Sequence, residues 1–355
     1  MLNNWKHWLK ISLGLITFCL PLWAVAQPAA LFTQVNSGYD EQFPVLSPDG
    51  QLLYFVRNQH PNNIGFDNLP DIWQSQRKAD GTWGACIHLG LPINDLKSNL
   101  LVGLNTDGST LYLAETDGYQ SWINITHRKG RRWAPSQSMI IDRFIPGATA
   151  SFSVSPNEQF LLLASQQSEG LGSMDLYVSF RSGERRWSHP VHLGSSLNTP
   201  GKEAWGMIAA DGQTLYFTSN GHPGGVGGLD LWMSRRIDAS WQKWSTPINL
   251  GPSINSPGDE ISLAISGEEN MAVLARMTDQ NQYDLQQINL AEETRPFPIA
   301  ILSGQLLEEQ TELPQTGEIY YRFLDVEDAK EQRLRLQEDG TYKVIVPLNR
   351  GIAFS

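Results

Sequence analysis

Cysteine is almost absent. The 355 residues contain two, Cys19 and Cys86. Cys19 lies in an amino-terminal apolar run that reads as a secretory signal. If that segment is removed, Cys86 is alone and no intramolecular disulfide can form, so the fold must be held by its core. Long hydrophobic runs are also scarce. The one at Ile11–Trp23 follows Lys6 and Lys10, is broken by Pro21, and ends in Ala24-Val25-Ala26. It is too short to span a bilayer comfortably, and it has the order of a signal peptide cut before Gln27. Phe18 stands where a lipoprotein signal needs a small residue. No later segment is long and apolar enough to cross a membrane as a helix. Basic residues are few. Removing residues 1–26 leaves 24 Lys and Arg against 37 Asp and Glu, a net charge of about −13. Such a balance suits a soluble exported protein and disfavours nucleic acid or an anionic membrane surface as partner. Helical apolar periodicity is missing too.

What the chain does have is turn formers and aromatics: 31 glycines, 20 prolines and 12 tryptophans. Strand-forming runs recur between turn residues, which indicates an all-β protein. The runs repeat. Ser47-Pro48-Asp49-Gly50 precedes Leu52-Leu53-Tyr54-Phe55. Thr106-Asp107-Gly108 precedes Leu111-Tyr112-Leu113. Ser155-Pro156-Asn157 precedes Phe160-Leu161-Leu162-Leu163. Ala210-Asp211-Gly212 precedes Leu215-Tyr216-Phe217, and a worn copy joins Ser266-Gly267 to Met271-Ala272-Val273-Leu274. Equivalent positions 54, 112, 162, 216 and 273 are 58, 50, 54 and 57 residues apart. That is the period of a propeller blade.

Each copy predicts four strands. Phe43-Pro44-Val45-Leu46 exemplifies the first, and the Leu-Tyr-Phe run is the second. An Asp-Gly turn between them is a hairpin signal that calls for unusual backbone angles at both residues. The third strand begins at Asp71, Asp175, Asp230 or Asp284, and the fourth lies near Pro190 or Pro247. The copies end in Ile93-Asn94, Leu197-Asn198 and Ile254-Asn255. Val35-Asn36 near the amino terminus repeats that ending with no copy before it, and the last copy lacks a fourth strand. Leu31 to Asn36 is therefore expected to supply the last blade's fourth strand and close the ring, removing open sheet edges. This favours a five-bladed β-propeller over residues 27–298, with six blades as the alternative.

The order Asp-Glu, Ser-Pro-Asp-Gly, Leu-Tyr-Phe, Gly-Gly-x-Asp-Leu-Trp, Trp-x-x-Pro and Asn-Leu-Gly resembles the TolB-like, WD-repeat-like propeller repeat of bacterial envelope proteins. Pro200 to Asn255 carries it most fully, and the resemblance runs from about Leu31 to Pro298. Copy two departs at Ser121-Trp122-Ile123, which has no leading Asp. The resemblance implies a small carboxypeptidase-regulatory-like β-sandwich after the propeller, then an OmpA-like domain. Ile301 to Leu306 and Asp339-Gly340-Thr341-Tyr342 to Pro347 fit the start of such a sandwich, so residues 299–355 are expected to form a partial one, either abbreviated or truncated, with no OmpA-like domain after it.

Motifs for chemistry are missing. There is no Gly-x-Ser-x-Gly elbow, no His-Glu-x-x-His and no cysteine pair. His60, His127, His189, His192 and His222 are scattered singly. The run Gly224 to Gly228 lacks a P-loop lysine. Asp71, Asp175 and Asp230 recur once per copy, which favours loop-end hydrogen bonding over a ligand ring. Trp83, Trp133, Trp187 and Trp244 recur in register and suit packing between blades. Trp205 and Trp241 fall outside that register.

In a propeller the blade-joining loops share a face with the loops between second and third strands. Here these are long and glycine-rich, and the joining loops carry Asp40, Glu41, Lys202, Glu203, Asp259 and Glu260. Loops on a rigid scaffold carry recognition. The sequence therefore predicts an exported, non-enzymatic binding or scaffold protein, periplasmic or outer-membrane associated. Its acidic face, with Trp205, would bind an envelope protein, with no cofactor and no metal. The alternative reading of those acidic pairs is turn capping. The alternative functions are a propeller for glycan or peptidoglycan fragments and an enzyme, a lyase or hydrolase, with a site at the channel mouth.

Overall fold

The structure, a computed structural model, describes residues 32–116, 119–147, 149–267, 271–324, 331–348 and 351–354. Residues 1–26, where the sequence predicts a signal peptide, lie outside the described residues. The chain is a β-propeller with a small β-module after it. Sheet one orders Asp40–Leu46, Leu52–Asn58, Asp71–Gln76 and Ile87–His88 from the inside outward. Sheet two begins with Leu100–Leu104, sheet three with Ser151–Val154, sheet four with Glu203–Ile208 and sheet five with Leu263–Ile265. These first strands surround one channel. The first strand of sheet one packs on sheet five, so the sheets close on themselves.

The second strands are apolar at their centres because neighbouring sheets cover both of their faces. Tyr54, Tyr112, Leu162, Tyr216 and Val273, the five repeat positions, are all buried. Burying each such side chain contributes roughly 1.5–3 kcal/mol. The hairpin turns differ from expectation in one respect. Only the glycine is left-handed, at φ 65°, 72° and 68° for Gly50, Gly108 and Gly212. In the third copy Glu158 takes that conformation at φ 59°.

Ring closure also differs from expectation. Residues 32–36 form a turn, with Val35 and Asn36 N–H both donating to Phe32 C=O at 2.9 Å. Gly90 to Asn94, Gly194 to Asn198 and Gly251 to Asn255 make the same turn. In each, the asparagine side chain grips a third strand. Asn94 binds the N–H and C=O of Ile72, Asn198 those of Leu176, and Asn255 those of Leu231. Asn36 grips Leu285 of sheet five identically, at 3.0 Å on both sides. Phe32 and Val35 are buried with Val273 and Leu285. The described part of the amino-terminal segment thus closes the ring as an asparagine clasp and not as a paired strand. A side-chain amide presents a donor and an acceptor together, so one residue can satisfy both backbone groups. Leu31 lies outside the described residues.

After the propeller, Ile299–Gln305 pairs with Thr341–Pro347, and Glu318–Phe323 lies between Gln332–Arg335 and Ile352–Phe354. Tyr321, Val344 and Val346 form their common core. This module sits against the Asp-Gly turns. Lys343 Nζ reaches Asp49 Oδ2 at 3.0 Å, and Arg333, Leu334 and Lys343 border a cleft with Thr106, Asn157 and Glu158. Ile299 stands at that end of the channel, where Gly267, Pro48 and Ala210 converge.

Candidate functional site

The channel encloses a cavity of about 430 Å³. Its wall is mostly apolar, with Phe43, Val102, Phe152, Met207 and Ile265 contributed by the five first strands and Ile261 by the loop before the last of them. Three of those strands carry a bulge, at Gln42/Val45, Leu101/Gly103 and Glu203/Trp205. A bulge shifts the alternation of inward and outward residues. The charged residues on the wall, among those described, are Lys202 and Asp259. Both lie at the mouth formed by the blade-joining loops.

The structure separates the seven sequence-derived site residues into two groups. Lys202, Trp205 and Asp259 line the channel. Trp205 is half-buried, while Asp259 is exposed and its Oδ1 accepts Leu229 N–H at 2.8 Å. Asp40 is nearby on the rim and accepts Tyr283 N–H at 2.9 Å. Glu41, Glu203 and Glu260 are buried beneath the rim and are not presented to a partner, which corrects the expectation for those three. Each closes its own joining loop from within. Glu41 accepts from Ser37 Oγ at 2.6 Å and from Arg57 Nε at 2.7 Å. Glu203 accepts from Thr199 N–H, Thr199 Oγ1 and Ser219 Oγ. Glu260 accepts from Ser256 N–H at 3.0 Å. In sheet two Asn99 holds this position. Burial pushes the carboxyls of Glu41, Glu203 and Glu260 above the ordinary range, and their hydrogen bonds offset this only in part. The acidic pairs are therefore half rim and half cap: the second residue of each caps the turn.

The recurring aspartates are loop-end caps. Asp71 accepts Ile64 N–H at 2.6 Å and contacts His88 at 2.8 Å. Asp230 accepts the N–H groups of Val226 and Gly227, and Asn249 at 2.9 Å. Asp175 accepts Gly172 N–H at 3.3 Å, with His192 at 3.8 Å. His88, His192 and Asn249 are equivalent fourth-strand residues, so the Asp–His contacts belong to the blade and not to a catalytic pair. Trp241 is buried against Phe160, Phe180 and Trp244, a packing role its sequence position did not disclose.

Sequence reasoning missed Arg57, Thr218 and Ser262. Arg57 is buried, stacks on Trp73 and pairs with Glu41. Thr218 and Ser262 are buried on the channel wall, and their hydroxyls have no hydrogen-bond partner among the described residues. A polar residue repeating at one blade position, as at Ser37 and Ser256, could have exposed the caps. Nothing local marks a hydroxyl that folding leaves without a partner.

No family model matches the chain, and no curated protein does. Solved propeller structures do. TolB from Acinetobacter baumannii aligns at 13% identity and a TM-score of 0.41, over 73% of this chain and 56% of its own. The endo-arabinase of Bacteroides thetaiotaomicron VPI-5482 aligns at 13% and 0.43, over 72% and 95%. The alpha-L-arabinofuranosidase of Lactobacillus brevis aligns at 14% and 0.43, over 73% and 95%. The chain spans little more than half the length of that TolB. These likenesses concern the fold and leave activity open.

Proposed function

We propose that the protein is an exported binding module of the cell envelope, a five-bladed propeller that engages a protein partner with the loop face around its channel mouth. One observation supports this most. The carboxy-terminal module occupies the turn face, so the mouth ringed by Asp40, Lys202 and Asp259 is the face left for recognition. Rigid sheets hold that face, and the buried glutamates fix its loops. A glycosidase needs two carboxyls flanking the scissile bond. Asp259 is the one carboxylate on the described channel wall, which favours a binding role over hydrolysis. The glycan-fragment reading draws on Trp205, an aromatic at the mouth, and muropeptide titration tests it.

The test of the leading reading is charge reversal at the rim, Asp40→Lys with Asp259→Lys, in the mature chain. Capture from envelope fractions should lose partners that the unmodified protein retains. A folded double variant that captures the same partners overturns the proposal.

A further inference from the structure

One residue of the channel wall is held in a conformation that the fold does not require. Phe43, in the first strand of sheet one, has φ 48°, in the left-handed region. A bulky side chain is an outlier there, because its Cβ crowds the following carbonyl oxygen. The strand bulges at this point, between Gln42 and Val45, and a left-handed bulge residue is ordinarily glycine. Core packing does not offset the strain. Phe43 is half-buried and belongs to none of the six apolar clusters found among the described residues. It lines the channel instead. Strained residues concentrate at active sites and ligand clamps. Trp205, from the first strand of sheet four, lines the same cavity and is also half-buried. Sheet five stands between sheets four and one, so the two aromatic residues belong to separate walls. Val102, Met207 and Ile265 add aliphatic surface. Charge on the described wall is confined to Lys202 and Asp259 at the mouth, so an ionised group deeper inside would have no partner. A dry apolar cavity of about 150 Å³ accepts one benzene ring. The 430 Å³ of the channel therefore have room for about two or three rings.

We propose that the channel binds one uncharged apolar compound of about two or three rings, with Phe43 and Trp205 as its aromatic contacts. The strained backbone at Phe43 keeps on the wall a ring that no core contact holds there. The site needs no protein partner and is independent of what the rim binds.

The test is fluorescence titration of the purified mature chain, freed of bound lipid, with N-phenylnaphthylamine and with anilinonaphthalene sulfonate, which has the same rings and a fixed negative charge. The neutral probe should bind one per chain, about tenfold tighter than the sulfonate, whose charge loses hydration without gaining a partner. Naphthol should displace it at lower concentration than decanol, which is more apolar but has no ring. Phe43→Gly should weaken the neutral probe about tenfold, the loss of one aromatic contact. It should do so with no fall in melting temperature, because the strain leaves with the ring. A Phe43 that served packing alone would lower the melting temperature when removed. Val102→Trp fills the cavity and should abolish binding. If that variant fails to fold, Phe43→Gly still decides the matter. Absence of one-per-chain binding overturns the proposal. So does equal binding of the sulfonate, displacement by decanol as effective as by naphthol, or an affinity that Phe43→Gly leaves intact. Rim capture of a protein partner is scored separately, so either proposal can fail alone.

Discussion

Asn36→Ala removes the clasp that joins the first described residues to sheet five. Two hydrogen bonds are lost, one donated by the Leu285 N–H and one accepted by its C=O, both at 3.0 Å and spanning 249 residues of sequence. Leu285 is fully buried, so its backbone groups lose partners that water replaces poorly. Each bond is worth about 1 kcal/mol net, and an unsatisfied buried group costs about 1–3 kcal/mol. Asn36 is half-buried, which lets some water in, so the expected loss is about 2–3 kcal/mol. Asn198 is the internal control. It makes the same pair of bonds at 2.7 and 3.0 Å, adds a contact to His192 at 2.9 Å, and is fully buried. Asn198→Ala should therefore cost more than Asn36→Ala, about 3–4 kcal/mol. Urea unfolding followed by tryptophan fluorescence gives both values. Hydrogen exchange at the Leu285 amide isolates the local effect. Unaltered Leu285 protection, with a stability change under about 0.5 kcal/mol, the range of neutral surface substitutions, would mean that Asn36 does not hold the ring. The reasoning would then be refuted.

Glu203 provides a pH test. Burial raises its pKa, so the protonated form is favoured in the folded protein. Its contribution to stability is present in full below its ordinary value of 4.5 and is lost as pH rises through the raised folded value. Glu203→Gln keeps an acceptor for Thr199 N–H and should flatten that part of the stability–pH profile. An unchanged profile contradicts the assignment. Lys343→Ala removes an ion pair whose partners are 38% and 26% exposed. Such a pair contributes at most about 1 kcal/mol, so calorimetry should show a small shift and the module should stay docked.

The sequence already held the repeat, the second strands and the turns, because each is written in local patterning. An apolar run between turn formers is a buried strand wherever it folds, and its recurrence every 50 to 58 residues dictates a set of like sheets. The aspartates at the third strands were legible as caps for the same reason. The asparagine endings were visible, but their role was not. Only the packed ring brings Asn36 to Leu285, and the same five-residue turn recurs at Gly90–Asn94, Gly194–Asn198 and Gly251–Asn255. Tertiary structure alone decided which member of each pair among Asp40-Glu41, Lys202-Glu203 and Asp259-Glu260 is buried, because the glutamate's loop-closing hydrogen bonds form only once the joining loop is folded against its neighbours. It also decided that the carboxy-terminal module lies against the turn face. Those arrangements depend on contacts between residues far apart in sequence, for which no local pattern codes.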